Sequence, residues 1–156
     1  MHTPAGAIRH LGTQYVASVD ESGLSVSVRE GRVLVSVGAV ETQANPGEQV
    51  RVDPDGASSR TSIPTYGGIW AWTEQVTPEY VLDGRSAHEF IQWVSRQTGR
   101  TASFSTRSAE ELAHSTLLRG SISLEPMRAL ELILQTSDLV PVIRNGAIII
   151  GERQET

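Results

Sequence analysis

The chain has 156 residues and a mass of 16.9 kDa, room for one ordinary domain or two small ones; with 38% hydrophobic and 20% charged residues it is globular in composition, which excludes a disordered tail or a collagen-like repeat. The net charge is −5 and both halves carry more acids than arginines, so the average field repels a phosphate backbone and argues against nucleic acid as a partner. There is no Lys for Schiff-base chemistry and no Cys for a disulfide, thiolate nucleophile or cysteine zinc site, and no apolar run exceeds four residues, as at Ala147–Ile150, against the ~18–20 that span a bilayer.

Met1 to His10 lacks the charged-then-apolar layout of a secretory signal. From residue 5 to about 55 the chain reads as β. Alternation is clean at Leu24-Ser25-Val26-Ser27-Val28 and at Val33-Leu34-Val35-Ser36-Val37, with similar runs at Gln14–Val19 and Gln49–Val52. Period two places Leu24, Val26 and Val28 on one face. Ser22-Gly23, Glu30-Gly31, Asn45-Pro46-Gly47 and Pro54-Asp55-Gly56 punctuate the runs as turns. The expectation is a mainly β N-terminal module over residues 1–60, a short-stranded antiparallel sandwich or solenoid-like stack. Residues 57–68 are poor in large apolar groups and read as a linker, with the junction extending over 61–77.

Residues 78–156 read as a small α+β domain of β-α-β-(α)-β-α-β-β order. Tyr80 and Leu82 alternate in a short strand that stops at Asp83-Gly84. Ser86 and Glu89 form a capping box, Ala87, Phe90, Ile91 and Val94 make one apolar helical stripe, and Gly99 supplies the left-handed stop. A strand follows at Thr101–Phe104. Ser108 and Glu111 repeat the capping pattern before a short helix. Leu117, Leu118 and Ile122 bracket Gly120 in another strand. A second long helix opens near Leu124, with Pro126 in its first turn. Asn145-Gly146 between two apolar runs signals a closing hairpin.

Side chains with chemical potential are sparse. His2, His10, His88 and His114 show no metal-ligand spacing to one another or to an acid, so no metal site is expected. His88 sits in a helix's first turn as a solvated residue. No G-x-S-x-G turn is present, and Gly67-Gly68 lacks the context of a phosphate loop. Asp53 and Asp55 suggest paired carboxylates, but Pro-Asp-Gly is a turn in its own right. No cofactor is expected. Trp70, Trp72 and Trp93 are assigned to the domain junction: Trp70 and Trp72 either clamp the two halves together, bury in the second domain or form a binding hot spot, and Trp93, one position off its helix's buried stripe, is partly exposed or at the domain seam.

Three segments carry a family resemblance. Leu11-Gly12-Thr13-Gln14-Tyr15, Val28-Arg29-Glu30-Gly31-Arg32-Val33 and Pro46-Gly47-Glu48-Gln49 resemble, in order and spacing, the second half of the FecR domain. Residues 78–151 resemble the short N-terminal domain shared by secretins and TonB-dependent receptors, which FecR proteins carry at their C-terminal end. Trp70-Ala71-Trp72 stands where the family has W-x-x-G-x-L. The resemblance implies the periplasmic region of an inner-membrane sensor in a Gram-negative bacterium. Such a region relays a signal from a TonB-dependent outer-membrane receptor, often for iron chelates, to an extracytoplasmic-function sigma factor. It implies no catalysis. The partner is then the receptor's signalling domain, and the sigma factor and membrane are reached only through a cytoplasmic segment and a transmembrane helix outside these residues.

Recognition of that kind uses exposed sheet edges. The candidates are the strand Glu79, Tyr80, Val81 and Leu82 and the hairpin carrying Val142, Arg144, Ile148 and Ile150. Two other readings compete: an assembly module of secretin N-domain type, and an envelope binding module or hydrolase built around Glu48, Asp53 or Asp55.

Overall fold

A computed structural model of the chain describes residues 1–77 and 79–154, with Leu11 described by its backbone alone. Pro78, Glu155 and Thr156, which bound the second expected domain, lie outside the described residues. The chain divides into two compact units, Met1–Thr65 and Tyr66–Thr156. The expectation of a β-rich module followed by a small α+β part holds.

In the first unit, β1 (His2–Thr3), β2 (Gly6–Asp20), β3 (Gly23–Val37), β4 (Val40–Ala44), β5 (Glu48–Val52) and β6 (Ser58–Ser62) form one antiparallel sheet. Its order is β1-β2-β3-β5-β6, with β4 also on β3. The alternation read from sequence builds its core. Leu24, Val26 and Val28 of β3 are buried with Val50 and Val52 of β5, and Leu24 pairs with Val52, Val26 with Val50. Burying each such side chain stabilises by about 1.5–3 kcal/mol. β3 changes partner half way along: Leu24–Val28 pairs with β5 and Val33–Val37 with β4.

Two expectations are corrected here. Glu30-Gly31 does not end a strand but lies inside β3, because Gly31 forms part of a bulge opposite Gly12, where the β2–β3 register shifts between Leu11 and Tyr15. Ser58–Ser62 is not linker but strand β6, exposed at every residue. It has no apolar alternation because it packs nothing. It is held by its ladder to β5, in which Val50 pairs with Arg60.

In the second unit, a 3-10 turn (Gly68–Trp70) and α1 (Ala71–Gln75) precede β7 (Tyr80–Val81), α2 (Ala87–Thr98), β8 (Ala102–Phe104), α3 (Arg107–Ser115), β9 (Ser121–Ile122), α4 (Pro126–Leu134), β10 (Leu139–Arg144) and β11 (Ala147–Glu152). From β7 onward the order is the one expected. The strands form two small sheets, β10-β11-β8 and β7-β9. Phe90, Ile91 and Val94 of α2, Leu130 and Leu134 of α4, and Ile148 and Ile150 of β11 meet in one core. The capping box is made: Ser86 N donates to Glu89 Oε2 at 2.8 Å and Glu89 N to Ser86 Oγ at 3.2 Å. Gly99 ends α2 at φ 67°. α3 is capped by Thr106, whose hydroxyl accepts from Ala109 N at 3.0 Å, rather than by Ser108, whose hydroxyl donates to Glu152 instead.

Candidate functional site

The strands of the second unit differ in the main-chain groups they leave open at their edges. β11 is the middle strand of its sheet, antiparallel to β10 and parallel to β8. Ile148 and Ile150 are therefore not at an edge, and their side chains are in the core. The phase of the β10 ladder follows from Arg153 N, which donates to Asp138 O at 2.7 Å. Bonded pairs alternate along an antiparallel ladder, so Val140, Val142 and Arg144 turn their main-chain groups toward β11. Leu139, Pro141 and Ile143 turn theirs outward. Pro141 has no N–H to offer, and Leu139 N already donates to Ser137 Oγ at 3.2 Å. Ile143 is the one free outward donor among the described residues of this strand, although the side chains of Val142, Ile143 and Arg144 are exposed. A proline at this place blunts an edge against strand pairing.

β7 offers little more. Leu82 N donates to Gly120 O at 2.8 Å and Tyr80 pairs with Ile122, so only Val81 turns its main chain outward. Leu82 is a core residue. Tyr80 leans on Trp93, ring centroids 4.5 Å apart, under the Arg85 guanidinium. Glu79 accepts from Ser121 Oγ at 2.6 Å.

The open edge is β8, which the sequence reading passed over. Ile148 N donates to Thr101 O at 2.8 Å and Ser105 N to Ile150 O at 2.9 Å. In that parallel phase Ser103 faces β11, while the N–H and C=O of both Ala102 and Phe104 point away from the sheet. Among the described residues no hydrogen bond engages them. A groove of ≈ 550 Å³ runs beside this strand, lined in part by His88, Gln92, Phe104, Arg107 and Glu110.

Two of those lining residues, His88 and Glu110, form a cluster with His114. His88 is the second residue of α2, and Glu110 and His114 lie one turn apart on α3. The rings of His88 and His114 stack with centroids 3.8 Å apart and 18° between planes, and His88 also stacks on Phe104 at 5.6 Å. One ligand atom from each of His88, Glu110 and His114 lies within 4.8 Å of the others. Partial burial pushes the His88 pKa below its ordinary value, the His114 imidazole pushes the same way, and Glu110 and Glu89 oppose them. The expectation that no histidine has a ligand-spaced neighbour is therefore corrected. Glu110 and His114 are four residues apart on a helix, a spacing visible in the sequence, and the fold brings His88 to them.

The tryptophans separate. Trp70 is buried and Trp72 is 56% exposed: two residues apart on a helical segment, they point to nearly opposite sides. Trp93, expected to be partly exposed or at the domain seam, is not exposed: it is buried in its own unit's core, 5.8 Å from Phe90. Asp53 and Asp55 make a turn, in which Gly56 N donates to Asp53 O at 2.9 Å and Ala57 N to Asp55 Oδ1 at 3.1 Å.

Two solved structures are similar to this chain. Both are crystal structures described as a "putative anti-sigma factor" from Parabacteroides distasonis. One is 14% identical, covers 97% of this chain and 69% of its own, and has a TM-score of 0.41. The other is 15% identical, covers 96% and 68%, and has a TM-score of 0.40. No protein-family model matches the chain, and no curated protein matches it.

The three FecR-like segments converge in the first unit. Gly12 and Gly31 face each other at the β2–β3 bulge, where a Cβ on Gly31 would lie 3.2 Å from Gly12 O. Gly47 N donates to Val28 O at 2.9 Å, next to the same bulge, and Gly47 O accepts from Ile63 N at 2.8 Å. The Glu48 carboxylate accepts from Asn45 N at 2.8 Å and from Arg60 Nη1 at 2.6 Å. The Asn45 amide, then Arg60, hold its pKa below the usual range. Glu48 thus ties a turn to β6, a structural duty.

Proposed function

We propose that the chain is the periplasmic part of an inner-membrane sensor of FecR type, taking a signal from a TonB-dependent outer-membrane receptor and passing it toward an extracytoplasmic-function sigma factor. It works by protein–protein recognition and catalyses no reaction. Its partner is the receptor's signalling domain. The sigma factor and the membrane are reached through parts of the protein outside these residues, none of whose described helices is long and apolar enough to cross a bilayer.

The observation that carries this reading is the open side of β8. Ala102 and Phe104 present two outward N–H and two outward C=O groups beside a groove, the arrangement that accepts an added strand: main-chain bonds give affinity and flanking side chains give specificity. The convergence of the three FecR-like segments on one bulge supports the family assignment, since the resemblance then rests on one structural unit rather than on scattered short matches.

The test is a calorimetric titration of the receptor's signalling domain into this chain. Saturable binding is expected, lost in Ala102→Pro and kept in Pro141→Val. Ala102→Pro removes one outward donor yet leaves the β8–β11 bonds through Thr101 O, Ser103 and Ser105 N in place. No binding up to millimolar concentration, or binding indifferent to Ala102→Pro, overturns the reading. Self-association through the second unit without receptor binding would favour an assembly module.

A further inference from the structure

We propose that His88, Glu110 and His114 form a binding site for a divalent transition-metal ion of the zinc class, which would tie α2 to α3. The site stands on this chain's own side chains and does not depend on the partner named above.

Zinc is bound by imidazole nitrogen at ~2.0–2.1 Å and carboxylate oxygen at ~2.0–2.2 Å, so two ligands on one ion stand roughly 3–3.5 Å apart. The three ligand atoms here already lie within 4.8 Å of one another, and two of the three side chains, Glu110 and His114, are exposed and free to turn toward the half-buried His88. Two ligands come from one face of α3, four residues apart, and are pre-positioned by the helix. The third is steadied by its stacking on Phe104.

The donors are also uncommitted. Among the described residues neither His88 nor His114 makes a hydrogen bond through a ring nitrogen, and the Glu110 carboxylate makes neither a hydrogen bond nor an ion pair. Its neighbour Glu111, by contrast, is engaged by Arg107 at 2.9 Å. The two imidazoles stand with ring centroids 3.8 Å apart. A metal uses both as neutral donors. Two nitrogens and one oxygen select zinc, nickel, cobalt or copper over calcium and magnesium, which prefer all-oxygen shells. Three protein ligands leave a fourth position for water. His114 in the last turn of α3 adds the favourable negative end of that helix's dipole.

The experiment is equilibrium dialysis of the untagged chain against Zn²⁺ at neutral pH, with NMR of the histidine rings. One saturable ion per chain is expected, with the His88 and His114 ring signals shifting and those of His2 and His10 unmoved. His114→Ala and Glu110→Gln should each weaken binding by about 10-fold or more. Both residues are exposed, so circular dichroism should show an unchanged fold. The thermal midpoint should rise with Zn²⁺ in the parent chain and not in His114→Ala. Absence of binding, a response confined to His2 and His10, or equal affinity in His114→Ala overturns the proposal.

Discussion

Gly31 lies so close to Thr13 that a Cβ built on it would stand 2.3 Å from Thr13 Cγ2, at a φ of 79°. β2 and β3 can approach at their bulge only because that position carries no side chain. Gly31→Ala should cost about 1–3 kcal/mol, combining left-handed strain with a steric push on β2. Gly38→Ala is the control. Its φ is 57° but nothing lies within 4 Å, so only the conformational term of about 1 kcal/mol applies. Urea unfolding should show the Gly31 variant with the lower midpoint and an unchanged slope; equal midpoints would remove the close approach from the account.

Ser86→Ala removes the hydroxyl that accepts from Glu89 N and leaves the bond from the Ser86 main-chain N–H to the Glu89 carboxylate in place. A loss of about 1 kcal/mol is expected, read as a lowered thermal midpoint. Because α2 carries much of the second unit's core, the loss should appear in the cooperative transition of that unit rather than as local fraying.

Acid should destabilise the protein through two named carboxylates. Glu48 is held below its ordinary pKa first by the Asn45 amide and then by Arg60, and Glu89 first by the Ser86 amide. The unfolded chain, with ordinary carboxylates near ~4.3, therefore takes up protons first as the pH drops. The stabilisation is complete above that ordinary range and is lost as pH falls through it toward the depressed folded values. Glu48→Gln and Glu89→Gln should each flatten the acid limb of a urea-midpoint profile. A profile parallel to that of the parent chain would count against the anchoring contacts.

Pro141→Val returns an outward N–H to β10, which lacks one at its centre. The variant should self-associate in a concentration-dependent way by sedimentation velocity, where the parent does not do so through this strand. The unfolding free energy of the monomer should stay within about 0.5 kcal/mol, as for a surface change. Identical sedimentation of the two proteins would mean that the proline does not guard the edge.

What the sequence disclosed was local. The Ser86–Gly99 helix carried its cap, stripe and stop within a few residues, and the Asn145-Gly146 hairpin carried its turn, so both were legible. The bulge at Gly31 was not, because a glycine that permits a close approach looks the same in sequence as one that makes a turn. Ser58–Ser62 showed no strand signal, since its pairing depends on β5 and its side chains are all solvated. The central place of β11 was hidden for a similar reason: its parallel pairing with β8 is non-local, and an apolar hairpin alone reads as an edge. Of the histidine cluster, the Glu110–His114 spacing was legible, whereas the approach of His88 from another helix was not.

The asymmetry between β8 and β10 sets a stoichiometry. A three-stranded sheet with one receptive flank and one that refuses admits a single newcomer and then terminates. Two copies meeting flank to flank would use up both receptive sides, so the sheet cannot propagate into a fibre. A strand added at β8 would be held one to one, and a second could not stack beyond it on the β10 side.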